Sequence, residues 1–458
     1  MPARITFMGA AQTVTGSRHL LTINGKNTLV DCGLFQGSHE LNERNWQPFP
    51  IDPSHIDAVV ITHAHMDHIG WLPRLIIDGY KGPIYATRAT VELARISLPD
   101  SGRLQEEEAR RNLKHNHGRP TPLYTEKDAY RTMKQFVALP YDLLHPLPGG
   151  AQWKYVPAGH ILGSAFAQIY FENGEQILMS GDLGRFNTPI IKDPTVIDFT
   201  EYLVVESTYG DRSHPKDDPK EQLFRVISDV LKSGGVLVTP SFAIGRTQEI
   251  LYYISELQRE GRLPRFPIYV DSPMATSTTK VYMSSHEEHD GDTKEICAHA
   301  ETFEPQGLTY IRDSEQSKML NSQRGPMMII SGSGMANGGR VVHHLLHRLS
   351  HPDTTVLFTG YQAEGTLGRR LLEGQEPIHI MGQEVEVRAK IEKINALSAH
   401  AGQDEIMTWL RNFKTPPKHT FIVHGEPRAQ QALADLIQKE LGWELSIPAF
   451  LDTYDLVK

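Results

Sequence analysis

The sequence predicts an α/β protein of two or three domains, and three observations lead there. At 458 residues, the chain holds that many units of about 100 to 200 residues each. Its first part, to about residue 210, alternates short apolar runs with turn residues, as the strands of a sheet do. From Tyr202 the rhythm changes to strand, helix, strand, which implies a parallel sheet with crossover helices.

In the first part, Arg4 to Met8, His19 to Ile23, Thr28 to Val30, Ala58 to Ile61 and Ile84 to Ala86 read as strands. Leu72 to Tyr80 and Thr87 to Ile96 carry helical periodicity between them. Gln105 to Lys114 reads as a charged, exposed helix inside a longer excursion, so this part is α/β or α+β. Further on, Val236 to Thr239 precedes the helical pattern Arg246 to Glu260, and Ile268 to Asp271 follows. Met327 to Ile330 then leads through Gly332, Gly334, Gly338 and Gly339 into Arg340 to Leu349. Beyond Thr355 to Thr359 come short strands, the helix Gln403 to Phe413, the strand Thr420 to Val423 and the helix Arg428 to Leu441. The chain shows no internal repeat and no low-complexity tract.

Composition narrows the function. A hydrophobic share of 39%, an aromatic share of 8% and a charged share of 22% are those of a soluble globular protein. Forty-six Lys and Arg against 55 Asp and Glu give a net charge of -9, which excludes a nonspecific nucleic-acid or membrane binder held by bulk positive charge. A basic strip confined to a cleft remains compatible. No run approaches the roughly 18 apolar residues of a membrane span, and the N-terminus lacks the basic start and apolar middle of a signal peptide. A cytoplasmic protein is expected. With Cys32 and Cys297 alone, there is no disulfide framework and no Cys-rich zinc module. Histidine stands out at 22 residues, and imidazole is the commonest protein metal ligand.

Those histidines cluster. Ile61-Thr-His63-Ala-His65-Met-Asp67-His68 follows the apolar strand Asp57 to Ile61, and the carboxyl end of a strand is where α/β sheets bind their substrates. His63 and His65 point to one side of an extended chain, and a turn brings Asp67 and His68 to a neighbouring position, so one segment can serve two adjacent ions. Three imidazoles and a carboxylate suit zinc, whereas calcium or magnesium would want mostly oxygen. A zinc pair needs more ligands, and His160, Asp182 and His424 each follow an apparent strand. A carboxylate such as Asp182 can bridge two ions about 3.5 to 4 Å apart. Each of these three alone also reads as an ordinary structural residue. The dense polar run His286 to Asp292 reads as a solvated loop rather than a metal site.

The set Asp31, His63-x-His65-x-Asp67-His68, His160 and Asp182 resembles the metallo-β-lactamase fold. Glu206 in Val-Val-Glu-Ser-Thr, His400 in Leu-Ser-Ala-His-Ala-Gly and His424 in Val-His-Gly-Glu resemble the three further motifs of its β-CASP branch of nucleic-acid nucleases. The resemblance runs from Ile5 to Glu426 with all motifs in order. It points to the RNA-processing group that includes the endonuclease subunit of the eukaryotic messenger-RNA 3′-end cleavage complex and its compact bacterial relatives. The first strand begins so near the start that no room is expected for the KH modules archaeal relatives carry in front.

The resemblance implies an αββα sandwich with an inserted α/β β-CASP domain, divided as residues 1-208, 209-375 and 376-458, with the active site in the cleft between domains. It implies two zinc ions, one on His63, His65 and His160, the other on Asp67, His68 and His424, with Asp182 bridging. Asp31 would support the His-rich loop by hydrogen bonds, with Cys32 beside it a small buried residue. The implied activity is hydrolysis of single-stranded RNA by a shared hydroxide that attacks phosphorus, with His400, raised in basicity by Glu206, protonating the leaving oxygen and 5′-phosphate ends left behind. RNA-directed members carry His where DNA-directed ones tend to have Val in the last motif, so His424 favours RNA. The alternatives are a small-molecule metallo-hydrolase of the same fold, which would not need the insert, Glu206 or His400, a DNA-directed nuclease, and an inactive scaffold. The sequence leaves the oligomeric state, homodimer included, and the choice of internal or terminal cleavage open.

Two Gly-rich turns are candidate phosphate holders. Ser331-Gly-Ser333-Gly334-Met-Ala-Asn-Gly-Gly-Arg340 joins a strand to a helix, offering backbone N–H groups to an anion. It is no dinucleotide fingerprint, since Asn337 stands at the sixth position. Ser241-Phe-Ala-Ile-Gly-Arg246 opens another helix with a hydroxyl and a guanidinium. Both turns equally read as tight packing turns. His343, His344 and His347 share a helix that is expected to line the cleft rather than bind metal.

Overall fold

The computed structural model describes residues 2–115, 118–291 and 302–457. Cys297, and Asp292 of the polar run, lie outside them. The chain divides into two compact units, Met1–Ser213 with His400–Lys458, and His214–Ala399.

The first unit opens with β1 (Ala3–Phe7), β2 (His19–Ile23), β3 (Lys26–Val30), β4 (Ala58–Val60), β5 (Ile84–Thr87) and β6 (Phe136–Leu139). It continues through β7 (His145–Pro146), β8 (Gln152–Pro157), β9 (Ala165–Tyr170), β10 (Gln176–Met179) and β11 (Tyr202–Glu206). The second unit carries β12 (Val236–Pro240), β13 (Ile268–Asp271), β14 (Leu308–Tyr310), β15 (Met327–Ser331), β16 (Thr354–Thr359), β17 (Ile378–Ile380), β18 (Gln383–Val385) and β19 (Lys390–Ile394). The chain returns to the first unit in β20 (His419–Val423), β21 (Leu445–Ser446) and β22 (Thr453–Val457).

Two seven-stranded sheets, β22-β1-β2-β3-β4-β5-β6 and β21-β20-β11-β10-β9-β8-β7, build the first unit. Their facing sides make one core. Ile5, Phe7 and Val60 meet Trp153, Tyr155, Ile169 and Phe421 there. The period-2 rule selects these residues: in β1, Ala3, Ile5 and Phe7 are buried while Arg4 between them is exposed. The helices Gln403–Leu410 and Pro427–Leu441 lay Trp409, Leu433 and Ile437 on the outer face of the second sheet, against Leu203, Val205 and Ile422. Trp409 also donates its indole N–H to the Thr195 carbonyl at 2.9 Å. Because β11 is covered on both faces, all five of its residues are buried, as a near-continuous apolar run requires.

The second unit is a six-stranded sheet in the order β14-β13-β15-β12-β16-β19, and its strand pairs are parallel. Val238, Ile329, Leu345 and Phe358 sit in its core. The second compact unit runs past the expected boundary at residue 376, to Ala399. The cause is local: β19 adds in parallel to β16, and Ile378, Ile380 and Val385 of the β17-β18 hairpin join the core of this unit. The expected boundary at 209 falls at His214.

The excursion differs from its expected form. Arg88–His115 is one helix of 28 residues with Pro99 inside it, not two. Its C-terminal half is held against the segment that follows, with Gln105 accepting from the Leu123 N–H at 3.1 Å and Ser101 from the Tyr124 hydroxyl at 2.8 Å. That support outweighs the one backbone donor a proline removes. In the polar run, Glu288 and His289 are buried rather than solvated, and no metal-ligand group forms there among the described residues. No helix among the described residues is long and apolar enough to cross a membrane.

Candidate metal centre

The ligand-bearing segments lie at strand ends of the first unit. β3 and β4 run parallel, with Val30 beside Val60, so the residues just past them, Asp31 and Thr62, are neighbours. The Thr62 N–H donates to Asp31 Oδ1 at 2.8 Å. The short helix Met66–Ile69 then turns Asp67 and His68 inward. It packs so tightly on the chain after β3 that a Cβ at Gly33 would stand 1.5 Å from the Asp67 carbonyl oxygen. Ser17 and Cys32 donate their backbone N–H groups to the carbonyls of Asp67 and His68 at 2.8 and 2.7 Å. His160 follows β8, Asp182 follows β10, and His424 closes β20.

These segments converge into two groups of ligand-type atoms. In the first, His63 Nε2 and His160 Nε2 each lie 3.1 Å from His65 Nδ1. Asp182 Oδ2 lies 3.3 Å from His63 Nε2 and 3.4 Å from His160 Nε2. In the second, His68 Nε2 and His424 Nε2 are 3.1 Å apart, and Asp67 Oδ2 lies 3.4 Å from His424 Nε2. Asp182 Oδ1 completes it, 3.2 Å from His68 Nε2 and 3.5 Å from His424 Nε2. One carboxylate thus presents one oxygen to each group.

The donor set fits metal. Corners of a tetrahedron around zinc, with bonds of about 2.0–2.1 Å, stand about 3.3–3.4 Å apart, and the distances above cluster on that edge. Both carboxylate oxygens of Asp182 are buried without a hydrogen-bond donor. Such an arrangement is costly for a bare carboxylate and is met by a cation. Three of the opposite nitrogens are anchored: His68 Nδ1 lies 2.7 Å from Asp31 Oδ2, His63 Nδ1 3.1 Å from Thr62 Oγ1, and His424 Nδ1 3.1 Å from Thr208 Oγ1. These contacts fix ring orientation and tautomer, as ligating histidines require. Burial above all pushes His63 down to about 3 and His65 to about 4, which keeps both imidazoles in the neutral, ligating form. At His68 burial works the same way, but the carboxylates of Asp182 and Asp31 outweigh it and hold the ring well above its ordinary value.

Beside the pair sits a carboxylate and histidine. Glu206, at the end of β11, is fully buried and accepts from the Leu183 N–H at 2.8 Å and the Thr208 N–H at 3.2 Å. His400 Nδ1 lies 3.0 and 3.2 Å from its two oxygens and 3.8 Å from Asp182 Oδ2. Burial opposes the charged form of His400, but Glu206 first and then Asp182 raise it to about 9. The Ala401 N–H donates to the Leu183 carbonyl at 2.9 Å, tying the His400 loop to the Asp182 loop.

All seven expected ligands, Asp31, Glu206 and His400 are therefore brought together. The phosphate candidates lie in the second unit, at adjacent strand ends: Ser241 donates its N–H to the Ser331 carbonyl at 2.9 Å. Their side chains are largely engaged. The Ser331 hydroxyl is buried on the Asp271 carbonyl at 3.0 Å, and Ser241 accepts from the Thr247 hydroxyl at 3.0 Å. Arg246 pairs with Glu249 and Arg340 with Asp271. Ser333 caps the Asn337 N–H at 3.2 Å, and Gly334 lies under the Phe242 ring. His344 is buried between Asp271 and Asn321, 2.7 Å from each, while His343 and His347 are exposed, so the three share no ligand group. Sequence reasoning missed the hydroxyls of Thr62 and Thr208. Their only signal is adjacency to motif residues.

Comparison with known proteins agrees with this geometry. Residues 26–214 match the beta-lactamase superfamily domain, 247–371 the Beta-Casp domain, and 384–448 the Zn-dependent metallo-hydrolase RNA specificity domain. A ribonuclease of Thermus thermophilus is 38% identical over 98% of this chain and 98% of its own length. This chain belongs to the β-CASP branch of the metallo-β-lactamase superfamily. An RNase J-like protein of Methanocaldococcus jannaschii is 32% identical over 98% of this chain and 97% of its own. The transcription termination factor FttA of Methanosarcina mazei is 29% identical over 99% of this chain and 72% of its own. A crystal structure of a protein of unknown function from Enterococcus faecalis V583, at 14% identity, covers 100% of both chains with a TM-score of 0.59, a likeness of fold. As a β-CASP member with a buried His and Asp cluster, the chain is a metal-dependent hydrolase.

Proposed function

We propose that this protein is a ribonuclease that hydrolyses phosphodiester bonds of single-stranded RNA with two zinc ions and leaves 5′-phosphate ends. The observation that carries the reading is Asp182, whose two oxygens face two separate histidine groups with His400 and Glu206 alongside. The similar ribonuclease and RNase J-like protein support RNA as the substrate. His63, His65, His160 and Asp182 would hold one ion, and Asp67, His68, His424 and Asp182 the other. Bound there, the pair supplies a water of lowered pKa as nucleophile and neutralises charge gathering on the phosphate oxygens.

The chain's own residues manage the leaving side. When water adds to phosphorus and the bond to the 3′-oxygen breaks, that oxygen departs as an alkoxide and needs a proton. Glu206 raises His400 above its ordinary value and holds it through Nδ1, so His400 delivers the proton from Nε2. Products are a 3′-hydroxyl and a 5′-phosphate. Glu206 orients His400 and keeps it protonated, the role of a carboxylate behind an imidazole. The test is cleavage of short labelled RNA and DNA with zinc by wild type, Asp67→Ala and His400→Ala. We expect RNA cleaved to 5′-phosphate ends, no cleavage by Asp67→Ala, and a loss of about 10²- to 10⁴-fold in His400→Ala with its zinc content intact. Equal cleavage by wild type and Asp67→Ala would end the metal assignment, and full activity in His400→Ala the general-acid role.

A further inference from the structure

The first sheet carries a cavity of about 560 Å³, within the range of small-molecule sites. It lies on the face turned away from the sandwich core. In β1 and β2, Ile5 and Leu21 point into that core, while Arg4, Thr6 and Thr22, one position over, line the cavity. None of the metal-centre residues lines it.

Its charge is unusual for this chain. The net charge is -9, yet Arg4, Arg18, Arg44 and His55 line the cavity and no carboxylate does. Arg18 is committed inward, donating to the Gly33 carbonyl at 2.9 and 2.7 Å. Arg4 and Arg44 are in no ion pair among the described residues. Asp455 is the cross-strand neighbour of Arg4 but forms no ion pair with it among the described residues, and Glu43, beside Arg44, pairs instead with Arg119. Two guanidiniums outside any ion pair, in a lining without a carboxylate, form an anion-selecting surface.

The wall adds a second preference. The Arg44 guanidinium lies 5.6 Å from the Phe35 ring centre and 5.1 Å from that of Phe450, within cation–π range. Phe450 is 40% exposed, an aromatic face available at the rim beside the cations. A phosphate alone would use the guanidiniums and leave that ring and most of the volume unfilled. A planar base joined to a phosphate uses all three.

We infer that this cavity binds a nucleoside monophosphate, with the phosphate against Arg4 and Arg44 and the base on Phe450. The inference does not rest on the nuclease reading, because its readout is binding. The experiment is calorimetric titration of the whole zinc-loaded protein with adenosine 5′-monophosphate, inorganic phosphate, adenosine and a short RNA, repeated on Arg4→Ala, Arg44→Ala and Phe450→Ala with melting temperatures checked. The nucleotide should bind at a site that each arginine variant weakens about tenfold or more, one charge-assisted contact's worth. Phe450→Ala should weaken the nucleotide and leave phosphate unchanged, and RNA cleavage by all three variants should match wild type. Nucleotide binding unaffected by both arginine variants would overturn the inference, since it would then reside at the metal centre. Phosphate binding as tightly as the nucleotide would reduce the site to an anion hole, and RNA binding lost in the arginine variants without nucleotide binding would assign it to a strand. Either result would also overturn it.

Discussion

Asp31→Asn isolates what the buried carboxylate behind the metal centre contributes. Its Oδ2 lies 2.7 Å from His68 Nδ1, and its Oδ1 accepts the Thr62 N–H at 2.8 Å. Asp31 sits at φ 60, a left-handed conformation that asparagine adopts as readily. The exchange therefore removes charge without straining the backbone, whereas alanine would do both. The amide cannot satisfy both neighbours, because an oxygen turned to His68 turns its NH₂ toward the Thr62 donor. Losing such support behind a ligating histidine costs about 10- to 100-fold in metal affinity, or about 1.4 to 2.8 kcal/mol. Competition titration against a chromophoric zinc chelator resolves two binding constants. The weaker-supported group, with His68, should lose that factor. The group of His63, His65 and His160, which reaches Asp31 indirectly, through the N–H and hydroxyl of Thr62, should change less. Unchanged constants, or equal loss at both groups with circular dichroism intact, would refute the reasoning.

Three further outcomes follow from the coordinates. In the second unit, burial raises Asp271, but hydrogen bonds from His344, Ser317 and Arg340 outweigh it and leave the carboxyl below its ordinary value. A depressed folded pKa means stability that is present above the unfolded value of about 3.9 and lost as pH falls through the folded one. Hydrogen exchange in β15 between pH 3 and 6 should show acid destabilisation that Asp271→Asn abolishes, and an unchanged profile would count against it. Trp409→Ala, at a fully buried ring, should lower stability by about 3–5 kcal/mol in urea unfolding; a change below about 1 kcal/mol would show the site collapsing around the gap. Chelating the bound metal should lower the melting temperature, since an ion at about 1,000 times its dissociation constant adds about 4 kcal/mol to the folded state, and a melting temperature insensitive to chelator would argue against a loaded centre.

How much of this was legible depends on whether the signal is local. A strand such as β1 announces itself through alternation, and β11, β12 and β15 through short continuous apolar runs. The break expected at 376 differs from the edge of the compact unit, although the residues after it do form short strands. Nothing in Lys390–Ile394 says that its partner is β16 rather than a strand of the first unit, and sheet partnership is a long-range property. Pro99, inside Arg88–His115, is the opposite case. It is a strong local breaker, overridden by bonds from the helix to residues 123 to 126. The phosphate turns show a third limit: Ser331 and Arg340 are the right residue types, but only the structure reveals that Asp271 engages both.

The candidate ligands were readable because their chemistry constrains the backbone as well as the side chain. Asp31 and His424 both hold positive φ, at 60 and 52, and such conformations cost about 1–3 kcal/mol each and persist only where the surroundings over-determine them. His424 is fixed by its N–H on the Ala10 carbonyl at 2.7 Å and its ring on Thr208. Glycines mark the same crowding, since a Cβ at Gly184 would meet the Gly159 carbonyl oxygen at 1.8 Å, beside both His160 and Asp182. Glycine stands next to His160, Asp182 and His424, and polar residues hold the strained positions 31 and 424, against local preference. Such conflict between local preference and final geometry is where function is expected, which explains why scattered single residues, each weak in isolation, become specific as a set.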